Sequence, residues 1–101
     1  QPQMDVINIA GQDIPINIVE EFGDERLAEY DSTHRCISIG KEVLKTKELF
    51  RSTLVHEIIH CALDLSGANY NMSVKTEEQI VMAVEALAVP AVVKVWDVLS
   101  D

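Results

Sequence analysis

Isoleucines alternate with polar residues through the first forty positions of the chain. Ile7 and Ile9 stand either side of Asn8 in "VINIAG", and Ile14, Ile16 and Ile18 occupy every second place in "IPINIVE". A period of two collects one set of side chains on one face of a strand. Gly11-Gln12-Asp13 lies between the two segments and predicts the turn of a hairpin. A second hairpin is predicted over "LAEYD" and "CISIG", joined by the polar run Ser32-Thr33-His34-Arg35, with Ile37 and Ile39 facing inward. Each strand is apolar on one side only, so the sheet should have one wet face and one covered face.

The cover is predicted to be helical. Residues 46–66 contain neither Gly nor Pro, and Gly67 follows as a helix stop. Phe50, Leu54, Ile58, Cys61 and Leu65 recur at helical spacing and form one apolar face. After the polar loop "GANYNMSVK", the run Thr76-Glu77-Glu78-Gln79 fits a capping box and opens a second helix that reaches nearly to the C-terminus. Pro90 is expected to bend or split that helix. On a helical wheel Val81, Val84, Ala88, Val95 and Leu99 all fall within about 40° of Glu77, which predicts one inward row. The pattern as a whole is α+β: a small antiparallel or mixed sheet of hairpins packed on a helix, with a second long helix after it.

At 101 residues there is room for one domain, assigned to 4–101 with Gln1-Pro2-Gln3 set aside. Hydrophobic residues make up 48% and charged residues 25%, a globular rather than a disordered composition. The formal charge is −9, from 17 acidic and 8 basic residues. Such a balance argues against nucleic acid and against an anionic membrane as partners, both of which call for basic patches. Cys36 and Cys61 are too few for a disulfide scaffold. With no signal peptide evident and no apolar run as long as a membrane span, because Glu85, Pro90 and Lys94 interrupt the last one, a cytoplasmic setting is expected. Oligomeric state is not legible at this stage.

The most apolar part of the first helix reads "LVHEIIHCALDLSG" and holds His56, Glu57 and His60. Ionisable side chains are seldom buried without a partner. Histidines at i and i+4 share one helix face, where two imidazoles can bind one tetrahedral ion and the glutamate beside them can act on its water. The ion that suits this donor set is Zn2+. A catalytic zinc takes three protein ligands. Position 66 is a serine, and His34 sits at a hairpin tip, so neither extends the motif. Asp64 shares the histidines' face, and Cys61 lies about 100° round the helix from His60. The second helix offers Glu77, at the centre of the inward row, as the third ligand, with Glu78 the alternative. Acids in a first turn also complement a helix N-terminus, which is the bland explanation of both.

The stretch "TLVHEIIHCALDLSG" followed by "EEQIVMAVEAL" resembles the small zincin-like metallopeptidases of the glutamate-ligand type, including compact versions common in phage genomes. The upstream "VINIAGQDIPINIVEE" and "CISIGKEV" resemble that family's strands, so the likeness covers most of the chain. It implies a minimal zincin-like fold, zinc held by His56, His60 and a downstream Glu77 or Glu78, and Glu57 as the general base. It also implies a sheet edge able to pair with an extended peptide, hence a protein or peptide substrate. No oxyanion-stabilising residue is assigned by motif; Tyr70, Arg35 and His34 are the candidates. The rival expectation is a non-catalytic, zinc-containing protein-binding module, which a fourth protein ligand such as Asp64 would favour.

Overall fold

The structure is a computed structural model that describes residues 3–100. Gln1, Pro2 and Asp101 lie outside the described residues, and with them the last position of the expected 4–101 domain. Strands β1 (Gln3–Ile9), β2 (Gln12–Val19), β3 (Ala28–Asp31) and β4 (Cys36–Gly40) form one sheet in the order β1-β2-β4-β3. Both expected hairpins are present, β1 with β2 and β3 with β4, and β2 runs parallel to β4 between them. The sheet is therefore mixed, and β3 lies at an edge.

The first turn differs from expectation. Ala10 and Gly11 form it, both at positive φ (54° and 81°), while Gln12 and Asp13 already belong to β2. A two-residue turn of that hand matches the twist of paired strands. Asn8 steadies it by accepting the Gly11 N–H and donating to Asp13.

Alternation decides the core. Ile14, Ile37 and Ile39 are completely buried and Ile16 nearly so, all on the covered face. Helix α1 (Lys47–Leu65) lies on that face through Phe50, Leu54, Ile58, Cys61 and Leu65, the predicted apolar set. Each large apolar side chain removed from water contributes about 1.5–3 kcal/mol. Val43, in a 3-10 turn at Lys41–Lys45, is buried in the same cluster. The Thr46 hydroxyl caps α1 by accepting the Leu49 N–H, and Gly67 ends it at φ 77°.

Helix α2 (Val74–Ala83) starts earlier than the capping-box reading placed it. The Ser73 hydroxyl accepts the Thr76 N–H, so Val74 and Lys75 leave the loop and become the first turn. The helix then loosens into a π-helical segment, Val84–Ala88, before continuing as α3 (Val89–Leu99). Pro90 sits in the first turn of α3 and has no N–H to offer the Ala86 carbonyl four residues back. The wider turn accommodates this, with the Val89 N–H bonding the Val84 carbonyl instead. The expected interruption thus falls one turn ahead of the proline. A π segment adds a residue to its turn, so a row drawn at constant pitch does not survive it. Val81 is fully buried, but Ala88, Val95 and Leu99 are exposed, which corrects the single inward row. The unbroken helical stretch Val74–Leu99 is also long and apolar enough to cross a membrane by length and composition, because its helix runs straight through the residues counted as interruptions.

Candidate metal centre

Helix α1 brings His56 and His60 one turn apart, with ring centroids 5.0 Å from each other. The loop after Gly67 folds back and lays α2 and the π segment across the same face of α1. Three glutamates thereby reach the two imidazoles from a different part of the chain. Glu85 approaches Nδ1 of His56 at 2.8 Å, and Glu77 approaches Nδ1 of His60 at 2.5 Å. Glu78 faces the other ring edge of both, 2.7 Å from His60 Nε2 and 3.7 Å from His56 Nε2.

Each carboxylate has a separate geometric task. A glutamate that accepts from Nδ1 favours the tautomer in which Nε2 keeps a lone pair for an ion. One ring nitrogen of each histidine and one Glu78 oxygen lie within 4.8 Å of one another. Ligand atoms about 2.1 Å from a tetrahedral ion are about 3.4 Å apart, and the two Glu78 contacts, made by different carboxylate oxygens, straddle that value. Two nitrogens, one oxygen and carboxylates behind both imidazoles form a donor set that could hold a divalent cation. Charge points the same way: four glutamates, with Glu57, surround two imidazoles, and a cation would offset them.

Glu77, favoured over Glu78 by the wheel, faces His60 Nδ1, while Glu78 is the glutamate grouped with both histidines where a metal ion could be held. The wheel found its inward direction correctly, since its side chain is more buried than that of Glu78. A residue that turns inward from α2 meets the Nδ1 edge of the His60 ring, whereas Glu78 meets its Nε2 edge. Asn69, in the interhelix loop, donates to the second Glu77 oxygen at 3.0 Å and fixes it there.

Glu57 is buried, with 7% of its surface exposed, beside the histidines and under β3. Burial pushes its carboxyl above the usual range, and the neighbouring imidazoles and the Tyr30 backbone N–H act in the other direction. The Tyr30 hydroxyl donates to Asp64 at 2.7 Å. Desolvation, and then that hydrogen bond, push the phenol well above its ordinary value, so it remains a donor. Asp64 is thereby engaged, and Cys61 is fully buried in the core, about 100° round α1 from His60.

These groups line a cavity of about 740 Å3 bounded on one side by the edge strand β3 and on the other by α1 and α2. None of the three oxyanion candidates borders it. Tyr70 is 83% exposed in the interhelix loop, Arg35 bonds Gln12, and His34 pairs with Asp31 at the hairpin tip. Tyr30 and Glu85 do border it, and sequence reasoning gave neither a role. Glu85 had one usable signal: it is a single carboxylate within a long apolar stretch. No family model, curated protein or solved structure matches the chain. The chemistry of the centre is therefore carried by its own residues.

Proposed function

We propose that the protein is a zinc-dependent metallopeptidase that hydrolyses peptide bonds in a protein or peptide substrate. His56, His60 and Glu78 hold the metal, and Glu57 is the general base. The observation that carries this reading is the pairing of each Nδ1 with its own glutamate, with Glu78 at the Nε2 edge of both rings. Zinc at that point supplies a positive charge that polarises a carbonyl and brings the pKa of water down to about 7.

The rest is done by side chains. Glu57 is buried next to both histidines, where it takes a proton from the attacking water and returns it to the leaving amine. Burial raises its pKa above the ordinary carboxylate value, the direction that suits a group that must both accept and release a proton. Glu85 and Glu77 keep the imidazoles in the ligating tautomer. Strand β3 offers its outer edge beside the cleft, and an extended substrate segment can pair with it. Asp64 and Cys61, the fourth ligands that a purely structural site would recruit, are occupied elsewhere. Both cysteines are free, in keeping with a cytoplasmic setting.

Metal analysis of the purified protein beside its Glu57→Gln variant tests the reading. Both should carry close to one zinc per chain, and only the wild type should cleave an unfolded protein or a peptide library. A wild type that binds zinc but cleaves nothing, and that binds a protein equally well with or without Glu57, would return the chain to the binding-module class.

A further inference from the structure

Charge in the cleft of the metal centre is one-sided. Glu57, Asp64, Glu77, Glu78 and Glu85 border it from α1, α2 and the π segment. Arg26, in the loop before β3, is the one lysine or arginine on its wall, and its guanidinium is already engaged. Nε lies 3.0 Å from Asp24 and Nη1 lies 2.9 Å from Glu29. A divalent ion would offset two of the five helical carboxylates, and imidazoles are neutral when they act as ligands. Three negative charges then remain, or two while Glu57 holds a proton. Among the described residues, the wall keeps no free cation to receive an acidic group from a ligand.

The opposite wall determines what kind of molecule can lie there. In the β3–β4 ladder the Leu27 carbonyl accepts the Gly40 N–H at 2.8 Å, and Glu29 and Asp31 follow at the alternate positions that face β4. Ala28 and Tyr30 therefore turn their backbone groups to the free edge, and both residues border the cleft. The Tyr30 N–H acts on Glu57, which leaves the Ala28 backbone and the Tyr30 carbonyl for an extended segment. Paired there, the segment runs beside the base, and every second side chain points to the same side of it.

Resting on the metallopeptidase reading, we infer that the substrate is a cationic segment, an extended stretch with lysine or arginine at alternate positions, and that acidic segments are turned away. A cleft of about 740 Å3 walled by protein focuses the field of its charges. A lysine or arginine that enters meets several carboxylates together. An aspartate or glutamate meets repulsion and no compensating cation, so the cleft selects by attraction and by exclusion. The other crevice of the molecule, between α1 and α3, lacks this bias, because Arg51 and Lys94 stand there among the acids. The selectivity therefore belongs to the cleft rather than to the overall charge of −9.

Three acetylated and amidated peptides of equal length, alternating alanine with lysine, glutamine or glutamate, test the inference. Fluorescence anisotropy on the whole protein supplied with zinc should find the lysine peptide bound at least about 10-fold more tightly than the glutamine one, and the glutamate peptide weakest. Asp64→Asn keeps an acceptor for the Tyr30 hydroxyl but removes one cleft charge, and should cut the lysine preference by about 5-fold. Asp5→Asn removes a charge on β1, at the far edge of the sheet, and should leave the preference unchanged. Equal binding of the three peptides, no binding of any, or an equal loss in both variants would overturn the inference. Cleavage separates it from the reading it rests on. Hydrolysis of all three peptides alike would keep the peptidase and remove the selectivity, whereas selective binding without hydrolysis would keep the selectivity and remove the peptidase.

Discussion

The carboxylates behind the histidines carry the most specific consequences at the scale of single residues. Glu78→Ala removes a proposed ligand and should abolish stoichiometric zinc. Glu77→Gln leaves the ligand set intact but weakens the hold on His60 Nδ1, and should lower affinity by about 10–100-fold. Isothermal titration of the two variants orders them, and the opposite order would place the metal behind His60 instead of in front of it. Glu57 is predicted to act in two opposed ways. Glu57→Gln should lose peptide hydrolysis by at least about 100-fold. In the metal-free protein the same change should be stabilising at neutral pH. The folded-state pKa of Glu57 is raised, so the native chain holds a proton that the unfolded chain has already released. Stability is then lost as pH rises from the ordinary carboxylate range through the raised value. Thermal melts of both chelated proteins from pH 4 to 8 should show that decline in the wild type only.

Among the elements, those with a simple period were legible. The isoleucine alternation located β1, β2 and β4, the polar run before Cys36 located β3 as its hairpin partner, and the spacing of Phe50, Leu54, Ile58, Cys61 and Leu65 located α1 and its buried face. His56, Glu57 and His60 were legible because five consecutive residues on one helix bring their own geometry. The separate positions of Glu77 and Glu78 were not, because they depend on how α2 lies across the two ring edges of His60, a tertiary fact. Pro90 announced an interruption, but the π turn that accommodates it lies upstream and resets the helix phase, which spoiled the wheel beyond Val84. That turn also aims Glu85 at His56. Pro90→Ala restores an N–H for the Ala86 carbonyl and should let the segment tighten into a regular α-helix. Glu85 would then rotate away from Nδ1, and zinc affinity should fall by about 10-fold, the lower end of such support effects, with no loss of helix by circular dichroism. Unchanged affinity would mean that Glu85 is held by something other than the wide turn.

For the whole molecule, two bodies of unequal robustness meet at the metal centre. The sheet and α1 share the isoleucine core, whereas Val81 is the only fully buried residue described in the second helical stretch. The bond between them rests heavily on Glu77, Glu78 and Glu85. Zinc at 100 times its Kd should therefore add about 2.7 kcal/mol, and its removal should loosen one part selectively. Hydrogen exchange with and without chelator should show faster exchange across α2 and α3 and little change in β2 and β4. Uniform acceleration would instead indicate a single cooperative unit.

The loop from Gly67 to Met72 joins the two halves of the ligand set, and Tyr70 stands out from it into solvent. While the loop is whole, Glu78 reaches the histidine pair at a local concentration on the millimolar scale, as tethered groups do. A single proteolytic nick at Tyr70 would make the capture bimolecular, and at micromolar protein it would lose the roughly 10²–10⁴-fold advantage of the tether. Limited proteolysis followed by a colorimetric zinc indicator should find metal release in step with the cut. The chain would then carry its own off-switch, in which one broken peptide bond in the loop beside the candidate site empties it.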